Sequence, residues 1–455
     1  MQKKQLINKG FGFLFEMGTG KTLTSIATMG AMYQMGAIEK VLIVAPTSVC
    51  PVWPKDIAEY ANFRCKVGVL TGTKDHRLRE LEAVKHYPLK GLKVAVINYE
   101  STWREGLFEA LKEWEPDLII ADESQRIKTH DAQQSKAMHQ LGDIAKYKLI
   151  LSGTPVQNNA IDIFSQYRFL DPTVFGMNYY AFRGRYAIMG GFNQKQIIGY
   201  RDLDSLIKKE YSIAYRVTKE EALDLPEQTF LTRNIPLEGK YKNLYQKIKR
   251  DSFAELENGG QVTAPTVLTK LLRLQQFTGG FIQPDDGLKP EFVFDGKLLA
   301  LEDIIDDYVS GEGKKLVIFC RFRPEIDLIT KLIQKKKIGM QAIYGDIKIE
   351  DRGPIVDDFQ KNPKTMIFLA QIDTAGLGIT LTAADTCVYY SANFNYAAYS
   401  QSLARIHRIG QRNTCTYIHL VVEHTIDSDI YKALERKEDL ANTVVDDWRR
   451  LFNEN

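Results

Sequence analysis

One short stretch limits the possible folds more than any other. Residues 12–22 read GFLFEMGTGKT, an apolar run that stops at Glu16 and leads into Gly18, Thr19, Gly20, Lys21 and Thr22. Residues 11–15 read as a short buried strand. Residues 22–35 read as a helix, with apolar side chains at Leu23, Ile26, Ala27 and Met29. A strand, a glycine turn and a helix make the setting that a phosphate-binding loop requires. Gly18 and Gly20 permit positive φ and, lacking side chains, let backbone N–H groups approach an anion. The helix N-terminus adds partial positive charge. In that frame Gly18–Thr22 would cradle phosphates, with Lys21 on the β- and γ-phosphates of a nucleotide and Thr22 on Mg²⁺. The full GxxxxGK[ST] pattern calls for a glycine where this chain has Phe15.

Three further stretches carry chemistry. Residues 117–123 read DLIIADE, a buried parallel strand that ends in two carboxylates, at the edge where ligands gather in open α/β sheets. Asp122 would hold Mg²⁺, and Glu123 would orient and deprotonate an attacking water. Residues 149–159 read LILSGTPVQNN, a second buried strand, ending at Ser152, Gly153, Thr154 and Pro155. Residues 401–412 read QSLARIHRIGQR. Arg405 and Arg408 are three apart and on a helix would share a face. Paired guanidiniums suit the charge that develops in phosphoryl transfer.

Composition excludes several classes. The 455 residues are 44% hydrophobic and 26% charged, which marks an ordinary globular chain of two to four domains. The net charge of +3 is too mild to argue for nucleic acid by itself, although a charged face can hide within a near-neutral total. The five cysteines form no CxxC pair, and the reading is free thiols in a reducing, cytoplasmic compartment. No apolar stretch approaches the ~20 residues that span a bilayer.

Taken in order along the chain, these motifs resemble helicase superfamily two, and within it the SWI/SNF-type (Snf-two family) DNA translocases. EMGTGKT resembles the family's phosphate loop, which also lacks the first glycine. VLIVAPTSVCPVW (41–53) and NYEST (98–102) resemble the two segments that follow, DESQRIK (122–128) the acid box and SGTPVQNN the coupling motif. In the second half, KLVIFCRF (315–322), AQIDTAGLGITLTAAD (370–385) and QSLARIHRIGQR continue the series. The likeness runs from about residue 11 to 445. It is closer in compactness to bacterial or phage-encoded members than to chromatin remodellers.

The resemblance implies an α/β fold of two RecA-like parallel-sheet lobes with helical insertions. The lobes would be 1–235 and 236–455, the second with a helical protrusion and a C-terminal brace helix. It implies a monomeric ATPase that uses ATP and Mg²⁺ and binds double-stranded DNA, with no membrane. Lys21, Asp122, Glu123, Arg405 and Arg408 would be catalytic, and Gln401 would touch the nucleotide. Thr47, Ser48, Tyr99, Arg321, Thr374 and Thr380 would hold DNA, and Gln125, Thr154 and Gln157 would couple the two sites. Gln125 stands where histidine is common, so that link would take another route. Gln2 and Gln5 are the only candidates for an adenine-reading glutamine and sit close to the strand, so the expectation is that the reader segment is absent or abbreviated. Three activities stay open: translocation along duplex DNA, strand separation on DNA or RNA, and a nucleotide-dependent binding switch.

Expected strands lie near 11–15, 41–45, 94–98, 117–121 and 148–151, and again near 316–320, 341–344, 366–370, 386–390 and 416–421. Residues 175–200, rich in aromatic and basic side chains, read either as a surface that grips DNA or as an aromatic-cored insertion. Residues 241–257 and 267–277 read as helices.

Overall fold

The computed structural model describes residues 9–153, 160–190, 196–258, 264–284, 289–373, 379–392, 396–432, 434 and 435. The chain divides into two compact units, the first reaching Leu223 and the second starting at Asp224.

The first unit carries β1 (Gly10–Phe15), β2 (Lys40–Ala45), β3 (Cys65–Val69), β4 (Leu92–Asn98), β5 (Leu118–Asp122), β6 (Tyr147–Leu151), the hairpin β7 (Ala187–Gly190) and β8 (Gln196–Tyr200), and β9 (Ala214–Val217). All but the hairpin join one sheet in the order β3-β4-β2-β5-β6-β1-β9. Every pair in it is parallel. A parallel sheet needs helices on both faces, so its central strands are apolar on both sides. Here β5 is buried along its whole length. Leu14, Leu42, Val44, Ile119 and Ile150 pack in the core of one face. Phe13, Phe15, Val41, Ile43, Ile120 and Leu149 pack in the core of the other.

The second unit carries β10 (Gln228–Ile235), the short pair β11 (Phe281–Ile282) and β12 (Glu291–Phe292), then β13 (Leu316–Cys320), β14 (Gly339–Ile343), β15 (Thr365–Gln371), β16 (Thr386–Tyr389) and β17 (Cys415–Val422). Its main sheet runs β10-β17-β16-β13-β15-β14, again all parallel. The chain therefore has two parallel-sheet lobes of the RecA-like kind. β10 belongs to the second sheet although it lies before the 235/236 junction read from sequence. The segment expected to form a C-terminal brace helix lies outside the described residues, as do Gln2 and Gln5.

Helices Gly239–Asn258 and Ala264–Thr278 occupy the region expected to be helical. In the aromatic segment, Phe182 and Tyr186 are buried and pack with Phe164 and Phe175, as an aromatic core would. Tyr180 stays 67% exposed, with the Arg183 guanidinium 5.2 Å from its ring. The basic end of helix Arg323–Lys335 is followed by Lys336, which pairs with Glu302 and Asp306. All five cysteines are free thiols. No helix among the described residues is long and apolar enough to cross a membrane.

Candidate nucleotide site and nucleic-acid face

In the first unit β1 ends at Phe15, and the chain turns through Gly18 (φ 84°) and Gly20 (φ 91°) into helix Lys21–Gln34. Both glycines use left-handed backbone that a larger residue would strain to adopt. Gly20 also caps the helix, which leaves the first-turn N–H groups aimed at the loop. Lys21 Nζ donates to the Phe15 carbonyl at 2.9 Å and the Glu16 carbonyl at 3.4 Å. The Thr19 hydroxyl donates to the Glu16 carbonyl at 2.8 Å. A Cβ placed on Gly153 would lie 3.4 Å from Phe15 O and 3.6 Å from Lys21 Nζ, so the end of β6 lies directly against the loop. Thr154 and Gln157 lie outside the described residues.

The carboxylate pair completes this corner. Asp122 is 7% exposed, and its Oδ2 accepts from Trp53 Nε1 at 3.0 Å. Burial first, and Glu123 beside it second, hold its carboxyl well above the usual carboxylate range, while Lys21 and the Trp53 hydrogen bond pull it back. A buried acid in that state gains most from a cation. Among the described residues no three His, Cys, Asp or Glu side chains form a metal cage. A cation such as Mg²⁺ binds through one or two carboxylates together with substrate phosphates. Asp122 and Thr22, a half-buried residue in the first turn of helix Lys21–Gln34, are the residues that could hold it.

Glu123 stands at φ 52°, ψ 55°, a left-handed conformation uncommon for a residue with a side chain. Its Oε2 accepts from Gln125 Nε2 at 2.6 Å, and Gln125 Oε1 accepts from the Ser152 hydroxyl at 2.8 Å. A continuous bridge therefore runs through the Gln125 side chain from the acid box to the strand end before Gly153. Next to it, the Ser124 hydroxyl donates to Gln166 Oε1 at 2.7 Å.

The expected DNA contacts of this unit divide. Thr47 is exposed and Ser48 half-buried, in the turn after β2. Tyr99 is a correction: it is fully buried, and its hydroxyl donates to the Asp122 carbonyl at 2.8 Å. Its side chain braces the acid box from behind and presents nothing to a duplex. Arg77, unremarked in the sequence, reaches from helix Lys74–Lys85 to Asn98 Oδ1 at 3.3 Å and to the Ser101 hydroxyl.

In the second unit, helix Tyr396–Leu403 carries the half-buried Gln401 and ends before Arg405 and Arg408, which lie in the turns that follow. They do not share a helix face, as their spacing had suggested. They meet because each donates through Nη1 to the Ile379 carbonyl, at 3.4 and 3.3 Å. Leu381 N donates to the Arg405 carbonyl at 2.9 Å, so residues 379–381, Thr380 included, are stapled to the arginine turn. Arg405 is 5% exposed. Burial lowers the pKa of Arg408. Gln411 holds the turn through the Ala384 carbonyl at 2.8 Å, and His407 Nε2 bonds the Pro226 carbonyl at 2.8 Å. Arg321 follows β13, its backbone N–H donating to Glu325 and Ser391 at 2.9 and 2.8 Å. Thr374 lies outside the described residues.

The profile described as SNF2-related domain matches residues 8–279, and the helicase conserved C-terminal domain matches residues 296–410. An uncharacterized ATP-dependent helicase of Mycoplasma genitalium is 25% identical over 435 residues, covering 95% of this chain and 40% of that protein. A DNA repair and recombination protein RAD54-like of Drosophila ananassae is 25% identical over 474 residues, covering 95% and 59%. A chromodomain-helicase-DNA-binding protein 1-like of Mus musculus is 25% identical over 446 residues, covering 95% and 47%. The chain spans about half the length of the curated relatives it matches. A solved SWI2/SNF2 ATPase core of Sulfolobus solfataricus in complex with double-stranded DNA covers 99% of this chain and 94% of its own at 24% identity. Its TM-score against this chain is 0.43.

Proposed function

The chain belongs to the SNF2-related family, and from that premise we propose that it hydrolyses ATP to move along double-stranded DNA without separating the strands. The observation that carries the reading is the convergence of the Lys21 loop, the Asp122–Glu123 pair and Gly153 at one sheet corner. Solvated charge alone does not explain a buried aspartate beside a glutamate, with a lysine near enough to bias its protonation.

In this proposal the N–H groups of Gly18–Thr22 and the Lys21 ammonium bind the phosphates. Asp122 and Thr22 hold Mg²⁺, which supplies charge neutralisation at the phosphoryl oxygens. Glu123 takes the proton of the attacking water. Arg405 and Arg408 stabilise the charge that develops in the transition state, and Gln401 contacts the nucleotide. Gln125, with Thr154 and Gln157, relays the state of the acid box. DNA phosphates are held by Thr47 and Ser48, and by Arg321, Thr374 and Thr380. Such contacts read no sequence, as suits a motor that follows any duplex. Five free thiols favour the cytoplasm as its compartment.

ATP turnover measured with single-stranded DNA, duplex DNA and RNA is the first test. The expected result is strongest stimulation by duplex. The second test pairs ATP-dependent ejection of a third strand from a triplex with unwinding of a forked duplex. Triplex ejection without unwinding is expected. Efficient unwinding would move the protein to the helicase reading, and failure of both despite nucleotide-dependent binding would make it a switch.

A further inference from the structure

Glu16 is the residue on which the phosphate loop turns, and each of its parts is engaged. Its carbonyl accepts from Thr19 and Lys21. Its backbone N–H donates to the Val217 carbonyl at 2.9 Å. Its carboxylate accepts from Arg216 Nη2 at 3.1 Å and from the backbone N–H of Lys219 at 2.9 Å. Arg216 and Glu16 are 200 residues apart in sequence. They meet because β9 pairs with β1 in parallel register, with Phe15 opposite Val217.

The pair differs from the exposed ion pairs elsewhere on the chain. The Arg216 side chain is 5% exposed and that of Glu16 32%. Exposed partners such as Lys85 and Glu82 are held weakly and screened by salt, whereas a buried guanidinium depends on its carboxylate. A second carboxylate, Glu210, is fully buried at the end of helix Leu203–Glu210. Burial pushes its carboxyl up to about 8, with Arg216 drawing it back. Thr218 and Glu221 then cap a short helical turn over Lys219–Ala222, the last structured element before the chain enters the second unit at Asp224.

We propose that Glu16, Arg216 and the Lys219 amide form a clasp that positions the phosphate loop and reports its occupancy to the segment leading out of the first unit. The inference rests on the ATP-binding reading above. In this structure Lys21 donates to the Phe15 and Glu16 carbonyls. When the ammonium turns to nucleotide phosphates, the Phe15 carbonyl loses that 2.9 Å bond and the Glu16 carbonyl its weaker one at 3.4 Å, so the backbone at residues 15–16 adjusts while Thr19 keeps the turn closed. The Glu16 carboxylate carries that adjustment to Arg216 and Lys219. Arg216 thus acts through Glu16, as a positioning residue.

Two measurements on the full chain test the clasp, and both read binding, not turnover. Hydrogen exchange at the Lys219 amide is followed with and without ADP; a change in protection on ADP addition is expected, and identical exchange overturns the relay. Affinity for a fluorescent ADP is then compared across Arg216→Met, Arg216→Lys and Glu16→Gln. Loss of one charge-assisted contact in a buried setting should weaken binding about tenfold in Arg216→Met, with most of it recovered in Arg216→Lys. Wild-type affinity in Arg216→Met overturns the positioning role. If Arg216→Met does not fold, Glu16→Gln decides: it keeps an acceptor for Lys219 and loses only the charge, and unchanged affinity there overturns the clasp. The unsubstituted chain and Lys21→Ala separate the two proposals. No ADP binding by the unsubstituted chain overturns the ATP-binding reading and the clasp with it. Binding that Lys21→Ala abolishes but the clasp variants leave intact overturns the clasp alone.

Discussion

Arg405 and Arg408 donate to one carbonyl oxygen, that of Ile379, at 3.4 and 3.3 Å. Both distances lie beyond the usual N–H···O range, so these bonds are weak and easily exchanged. The Arg408 guanidinium, resting on that weak acceptor, can be recruited by a developing phosphoryl charge.

Arg405→Ala and Arg408→Ala are each expected to bind ATP and DNA but to lose turnover by about 10³-fold or more, the range of an arginine finger. Steady-state ATPase rates beside nucleotide affinity check this. Normal turnover in either variant would reduce that residue to a tether for residues 379–381.

Glu123→Gln should bind ATP and hydrolyse it ~10²–10⁴-fold more slowly, the usual loss when a general base is removed. The amide oxygen can still accept from Gln125, so the fold at this corner is preserved. Single-turnover hydrolysis is the measurement, and a near-normal rate would place the base elsewhere.

Gln125→Ala cuts the bridge between Glu123 and Ser152. Basal hydrolysis should survive while the stimulation by duplex DNA falls about fivefold or more, the lower range of an allosteric coupling. The ratio of stimulated to basal ATPase reads it directly. An unchanged ratio would show that the bridge is only structural.

Glu210 predicts a pH dependence of stability. Its folded pKa, about 8, lies above the ordinary 4.5 because the carboxyl is buried. Between those values the unfolded chain gives up a proton that the folded chain keeps, so stability falls as pH rises, by up to about 1.4 kcal/mol per pH unit. Below the window the effect vanishes, and above it the loss is constant. Chemical denaturation at pH 5 and pH 8 should therefore show a smaller pH-dependent loss in Glu210→Gln than in the unsubstituted chain. Equal losses would mean that the carboxyl is solvated.

Much of the fold could be read from central strands. Each strand expected near 11–15, 41–45, 94–98, 117–121 and 148–151 is present, because a strand buried on both faces writes a continuous apolar run. The strands that escaped notice lie at sheet edges. β3 reads CKVGV and is mostly half-buried, β9 is only AYRV, and β10 reads QTFLTRNI and is exposed along nearly its whole length. An edge strand needs no apolar run, so its sequence carries little signal. At the site, motif residues were legible because their chemistry is local. The partners that hold them were not: Trp53 reaches Asp122, and Arg216 reaches Glu16, across gaps set by strand order alone. Tyr99 was misread for the same reason, since only the fold shows which way it faces.

The position of β1 between β6 and β9 sets a timetable for synthesis. Gly12 pairs with Ile150 on one side and Ala214 on the other. The strand that carries the phosphate loop is the first made and the last to be flanked. At ribosomal rates of ~5–20 residues per second, the segment GFGFLF waits about 10–40 s for its outer neighbour. During that interval a phenylalanine-rich edge lies open, and it is the part of the nascent chain most in need of a chaperone. A message truncated before residue 214 would leave that edge exposed permanently, and such a fragment should aggregate rather than persist as a folded half.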